Sequence, residues 1–198
     1  MAAWRRSSSD PRSDVDLQTL RTFDRTVTLP SGRRLRLRPI RPDDAPRLVE
    51  LYDRLSQQSA YQRFFTVMQR LPPDWARLLA AVDHHRRFAL VAEEQTDRPP
   101  ALVGVARYEP LPEPGTVELA VVVQDSWQGQ GLGTLLLREL LQAAELNGIR
   151  RFRAYVLADN RRMLHVLRRH ARVLAQRRDG SVIELTLTSD HHETAEWT

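Results

Sequence analysis

Seventeen consecutive residues, ELAVVVQDSWQGQGLGT at 118–134, constrain the fold of this chain more than any other stretch. They run from an apolar strand through a short polar connection into a glycine-spaced loop, then open an amphipathic helix. Such a loop presents successive backbone N–H groups, and the helix start adds partial positive charge, so the pair suits a phosphate. Gly129, Gly131 and Gly133 remove the side chains that would hold a pyrophosphate away from the backbone.

Two familiar phosphate loops fit poorly. A P-loop closes on Gly-Lys-Ser/Thr, and this chain contains no lysine. A dinucleotide fingerprint places G-x-G-x-x-G tight against its strand, whereas here the series ends in Thr134 and residues 124–128 intervene. Asp159 after the next strand is its one point of support, and three strands precede the loop where that fold would open with it. What fits without adjustment is Gln128-x-x-Gly131-x-Gly133.

The 198 residues suffice for one domain with a real core. The absence of cysteine removes disulfides, thiolate metal sites and a cysteine nucleophile. No apolar run reaches the roughly 20 residues of a membrane span, and the first residues, MAAWRRSSSDPRSD, lack the apolar core of a signal peptide. The expected location is cytoplasmic, with no membrane partner. Formal charge is +5, all of the basic residues being arginine. A basic stripe at Arg150, Arg151, Arg153, Arg161, Arg162, Arg168 and Arg169 lacks interleaved aromatic residues, which disfavours nucleic acid. His84-His85 and His191-His192 lack carboxylates at ligand spacing, so no metal site is expected.

Residues 1–20 are rich in Ser, Asp, Arg and Pro and read as a disordered lead, too short to fold as a further domain. A single domain is expected over 25–188, followed by a polar tail at 189–198. Alternation at 25–29 and 33–39 about Pro30-Ser31-Gly32 predicts a hairpin. Arg41-Pro42-Asp43-Asp44 signals a helix start with Asp as cap, and helical pieces follow at 59–65 and 73–82. Strands are expected at 88–93, 101–108 and 117–123, with a polar loop at 94–100 and a turn at 110–115. The leucine-rich helix at 132–146 stops at Gly148. A strand at 152–157, a basic helix at 161–169 and a hairpin at 173–177 and 182–187 complete the order, with no internal repeat. The mixture argues α/β (α+β) with a mixed sheet rather than a doubly wound parallel one.

With Leu37-Arg38-Pro39-Ile40-Arg41-Pro42-Asp43-Asp44, Leu55-Ser56 with Ser59, Tyr61 and Arg63-Phe64-Phe65, Gly104-Val105-Ala106-Arg107 and 157–163 added, the glycine loop resembles that of the Gcn5-related (GNAT) N-acetyltransferases. The likeness runs over 36–187 and is close to the GNAT domain of bacterial Pat-type protein lysine acetyltransferases. It implies a mixed sheet of about seven strands flanked by about four helices, with acetyl-CoA (or another acyl-CoA) as co-substrate and no metal.

The resemblance further implies direct acyl transfer to an amine. A lysine amine of reference pKa about 10.4 must lose a proton before it attacks a thioester. Glu118, ten positions before Gln128, stands where the family often has its base; the other reading is a cross-strand ion pair. Val121, Val122 and Val123 would offer backbone groups to the pantetheine arm as a strand does to a sheet edge. Gln128, Gly129, Gln130, Gly131, Leu132, Gly133 and Thr134 would cradle the pyrophosphate. Asn160 would contact the cofactor, cap a helix, or do both. Tyr61, Arg63 and Phe64 would border the substrate groove. Leu167 and His170-Ala171-Arg172 replace the family's usual acid Tyr and Leu-Gly-Phe, so water would protonate the thiolate. The expected acceptor is a lysine on a protein, among them an acyl-CoA synthetase. The alternatives are a small-molecule amine or N-terminal α-amine acceptor, or a non-catalytic acyl-CoA-binding regulator.

Overall fold

A computed structural model describes residues 20–95 and 100–189. The lead and the tail lie outside the described residues, apart from Leu20, in a helical turn over 20–22, and the buried Ser189. Residues 96–99 of the polar loop and His191-His192 also lie outside them.

The expected hairpin forms between β1 (Arg25–Thr28) and β2 (Arg34–Pro39), closed by Leu29 N–H donating to Arg33 O. A 3-10 turn (Pro42–Asp44) leads into α1 (Ala45–Asp53), α2 (Gln57–Phe64) and α3 (Pro73–Ala80). The antiparallel run β3 (Phe88–Glu94), β4 (Leu102–Pro110) and β5 (Thr116–Val123) follows. A second 3-10 turn (Asp125–Trp127) and the glycine loop precede α4 (Leu132–Leu146). The rest is β6 (Arg151–Leu157), α5 (Arg161–His170), β7 (Arg172–Asp179) and β8 (Val182–Thr188). All eight strands join one mixed sheet in the order β1-β2-β3-β4-β5-β6-β8-β7, one strand more than the resemblance implied. Five α-helices follow the helical turn at 20–22, against about four expected.

The sheet separates two cores. On one face Leu90, Tyr108, Leu119 and Phe152 pack under α4 and α5 with Leu136, Leu140 and Leu167. On the other, Val91 and Val105 pack under α1–α3 with Ile40, Leu48 and Leu51. Gly104 lets α4 come close: a Cβ there would lie 2.9 Å from Leu136 Cδ1.

The RPIRPDD segment is a buried ionic knot. Arg38, 3% exposed, makes a fork to Asp44 (2.7 Å twice) and reaches Glu93 at 2.9 Å. Arg47 bonds Glu93 at 2.6 Å and Asp44 at 3.0 Å. Asp44 therefore does not cap α1 through its side chain as expected; its carboxylate accepts from Arg38 and from Arg41 N–H instead. Burial pushes the Asp44 and Glu93 carboxyls up, but the arginine hydrogen bonds and charges outweigh it and hold both below their ordinary values.

Candidate active site

The site begins where β5 loses a partner. Its pairing with β4 runs the length of the strand, from Val117 opposite Pro110 to Val123 opposite Gly104. Its parallel pairing with β6 covers only Thr116, Val117 and Glu118, opposite Arg151, Phe152 and Arg153. Beyond Glu118 the two strands part, and a cleft of about 300 Å³ opens between them. The edge of β5 at 119–123 is thus an unfilled strand position, which an extended ligand can pair with.

At the C-terminal end of β5 lies the glycine loop. Gly131 is the N-cap of α4 at φ +88°, a conformation glycine adopts without strain, and no side chain caps the helix. The N–H groups of 129–134 have no hydrogen-bond acceptor among the described residues, although Gln128 N–H is already spent on Asp125 O. Six consecutive donors at the start of a 15-residue helix form an anion cradle. The hairpin supports it from outside: Arg33 stacks on Trp127 at 3.3 Å and donates to Ser126 O at 3.0 Å. Asp125 ties the loop to α2, accepting from Ser56 N–H (2.9 Å), Ser56 Oγ (2.7 Å) and Ser59 Oγ (2.8 Å). Gln128 Nε2 then bridges Ser59 Oγ and Val123 O, each at 3.0 Å.

The opposite end is charged. Alternation along β4 and β5 puts Arg107, Glu109 and Glu118 on the α1–α3 face, with Glu109 directly across from Glu118. Glu109 is shared, by Arg87 at 2.6 Å and by Arg107. Arg107 is 4% exposed and also donates to Leu79 O. Burial depresses its guanidinium, and the neighbouring Glu109 charge opposes that. Glu118 lines the cleft, and among the described residues no cation stands within 4.0 Å of it. Its β6 neighbour Arg153 pairs with Glu113 and Glu184 instead.

The family model for an acetyltransferase (GNAT) domain matches residues 34–170. This chain belongs to the GNAT acetyltransferase family. It is 33% identical to acetyltransferase PA5475 of Pseudomonas aeruginosa over 136 residues, 69% of this chain and 73% of that protein. It is 32% identical to acetyltransferase Pat of Mycolicibacterium smegmatis over 146 residues, 72% of this chain but 42% of Pat, so it spans less than half of that relative. The solved GNAT domain of S. lividans PAT superposes with a TM-score of 0.73 at 31% identity, covering 84% of this chain and 97% of that one.

GNAT domains use acetyl-CoA, and the residues here fit it: backbone donors for a pyrophosphate, and an open strand edge for an extended arm along the cleft. Of the residues expected from sequence, Arg63, Phe64, Glu118, Val121, Val122 and Val123 line the GNAT cleft, as do Gln128, Gly129, Gly133 and Asn160. Asn160 caps α5, its Oδ1 accepting from Met163 N–H at 3.1 Å. Gln130, Gly131, Leu132, Thr134 and Tyr61 are not part of the lining. Gln130 turns back to Ser126 O, Leu132 is wholly buried, and Tyr61 is exposed on α2. Sequence reading missed Arg107 and Glu109 at the charged end and Tyr155 in the lining, and read Arg162 only as part of a basic stripe. Arg162 touches Gln128 Oε1 at 3.1 Å, and a basic residue two after Asn160 was its available signal. Leu167 lines the cleft where the family's tyrosine was expected. His84 and His85 serve structure: His84 meets Phe88 edge-on, and His85 Nδ1 meets Asn147 Oδ1 at 3.0 Å.

Proposed function

We propose that this domain acetylates the ε-amine of a lysine on a protein, with Glu118 accepting the amine's proton during direct attack in a ternary complex. The observation that carries the reading is Glu118 itself, a carboxylate without an ion-pair partner among the described residues, at the fork where β5 and β6 separate. When bound, acetyl-CoA supplies an activated thioester whose S–C bond breaks as the amine forms the new N–C bond. The N–H groups of 129–134 hold the pyrophosphate, and the edge of β5 aligns the pantetheine arm. Glu118 takes the proton directly or through one water, which turns an inert ammonium into a nucleophile. Water protonates the departing thiolate, since Leu167 offers no acid. The likeness to the Pat GNAT domain supports a protein lysine as the acceptor. Among the described residues no helix is long and apolar enough to cross a membrane, which suits action in the cytoplasm.

Intact-mass analysis tests the reading. An acyl-CoA synthetase from the same organism is incubated with acetyl-CoA and either wild type or Glu118→Gln. One added acetyl with wild type and little with the variant is the expected result. No added mass, with acetyl-CoA binding confirmed in the same sample, turns the assignment toward small or α-amines, or toward an acyl-CoA-binding regulator.

A further inference from the structure

Arg63 is a charged side chain without its complement. It sits in the last turn of α2, half-buried, and lines both the main cleft and a small apolar cavity beneath α2 that Arg107 also lines. Among the described residues no hydrogen-bond acceptor meets its guanidinium; its nearest specific contact is the Phe64 ring at 4.9 Å. Burial and the facing Arg107 charge push it down to about 10, with Glu118 and Glu109 pulling the other way. Neither glutamate satisfies it. Glu109 is held by Arg87 and Arg107, and Glu118 stands outside ion-pair distance. Behind it the Nε of the nearly buried Arg107 also has no acceptor. A half-buried guanidinium that no protein group binds, on the wall of an open cleft, is suited to a carboxylate supplied from outside.

We infer that Arg63, backed by Arg107, forms a carboxylate subsite beside Glu118, so that the preferred acceptor carries an acidic group next to its reacting amine. This rests on the proposed acyl transfer to an amine, and on a protein the acid is an Asp or Glu flanking the acceptor lysine. Two facts of the site favour it. A lysine ammonium entering beside two guanidinium groups is repelled, and a neighbouring carboxylate offsets that repulsion. When Glu118 takes the proton the site loses a negative charge, and the acceptor's carboxylate remains to balance Arg63.

The test compares blocked peptides that differ only in Asp or Asn beside one lysine. A second pair, a free amino acid and its methyl ester, separates a protein-borne carboxylate from a small molecule's own. Each pair is assayed with wild type, Arg63→Gln and Arg63→Lys, with Arg178→Gln near the end of β7 as a remote control. A charge-assisted contact predicts that wild type favours the Asp peptide about tenfold in kcat/KM, mostly through KM. Arg63→Gln brings the Asp:Asn ratio of kcat/KM to about one, Arg63→Lys keeps part of the preference, and Arg178→Gln keeps all of it. If Arg63 only lowered the amine's pKa, Arg63→Gln would slow both peptides alike and move the pH profile, which overturns the subsite. Equal use of acidic and neutral acceptors in both pairs, or use of neither pair, overturns it as well. Arg63-dependent use of the free amino acid with no use of peptides keeps the subsite and removes the protein-lysine reading.

Discussion

At one end of the cleft stand the peptide N–H donors of 129–134, held in place by a glycine turn. At the other end stand charged side chains drawn from α2, β4 and β5: Arg63, Arg107, Glu109 and Glu118. The two ends are also anchored differently. The cradle helix α4 lies on the sheet through apolar packing at Gly104. The first of the helices on the other face, α1, is fastened by the buried knot of Arg38, Asp44, Arg47 and Glu93. A backbone cradle suits a cofactor common to a whole family, because any sequence of small residues can build it. A side-chain end suits an acceptor that differs between members, because each substitution there changes what is bound.

The largest effect is expected from separating rate from donor binding. Glu118→Gln should lower kcat by about 10²- to 10⁴-fold, the usual contribution of a positioned base. The dissociation constant for acetyl-CoA, measured by calorimetry, should stay unchanged, because the cradle does not involve that side chain. A parallel loss of donor binding would show that the two ends are not separable.

Next is the anchoring of α1. Asp44→Asn leaves Glu93 as the one buried counter-charge of Arg38 in the knot and should cost up to about 3 kcal/mol of stability. The same knot gives a pH signature. Asp44 and Glu93 have folded-state values below their unfolded ones. Their contribution is therefore complete above the unfolded carboxylate range of about 4 and disappears as pH falls through the lower folded values. Thermal melts of wild type should lose stability steeply on acidification below about pH 4. Asp44→Asn melts should depend on pH less over the same range. Identical slopes would place the acid-sensitive groups elsewhere.

The contrast between the ends also decides how much could be read in advance. The strand, loop and helix of the cradle are continuous in sequence, and the predicted helix at 132–146 is the observed one. The eight strand segments were legible for the same local reason, each being an alternating or apolar run bounded by turn residues. The charged end was only half legible. Glu118 could be singled out because it is on the strand that leads to the loop. Arg107 and Glu109 come next to it only through the register of β4 against β5, which no local pattern specifies. Asp44 misled for a related reason. Its position signals a cap, yet the nearby Arg38 and Arg41 N–H claim its oxygens once β2 and α1 are packed together.

A smaller effect tests the cradle itself. Gly131→Ala forces a side chain into a left-handed backbone at φ +88°, a strain of about 1–2 kcal/mol. The loop relieves it by turning its donors, so acetyl-CoA should bind about tenfold more weakly. The rate at saturating donor should change little, the reverse of the Glu118→Gln pattern.

The smallest expected effect falls where the two ends are joined. Asp125 sits at the start of the glycine loop yet holds the start of α2 through Ser56 and Ser59. Burial pushes its carboxyl up, but hydrogen bonds from Ser56 and Ser59 outweigh that and keep it below its ordinary value. Asp125→Asn retains one acceptor oxygen while removing the charge and the second oxygen. The residue is exposed, so screening by water limits the loss to roughly 1 kcal/mol or less. Because α2 carries Arg63 and Gln128 reaches Ser59, loosening this tie should raise KM for donor and acceptor together, each by about threefold. A change in donor KM alone would mean that α2 keeps its place without Asp125, and that the ends of the cleft are independent in mechanics as well as in chemistry.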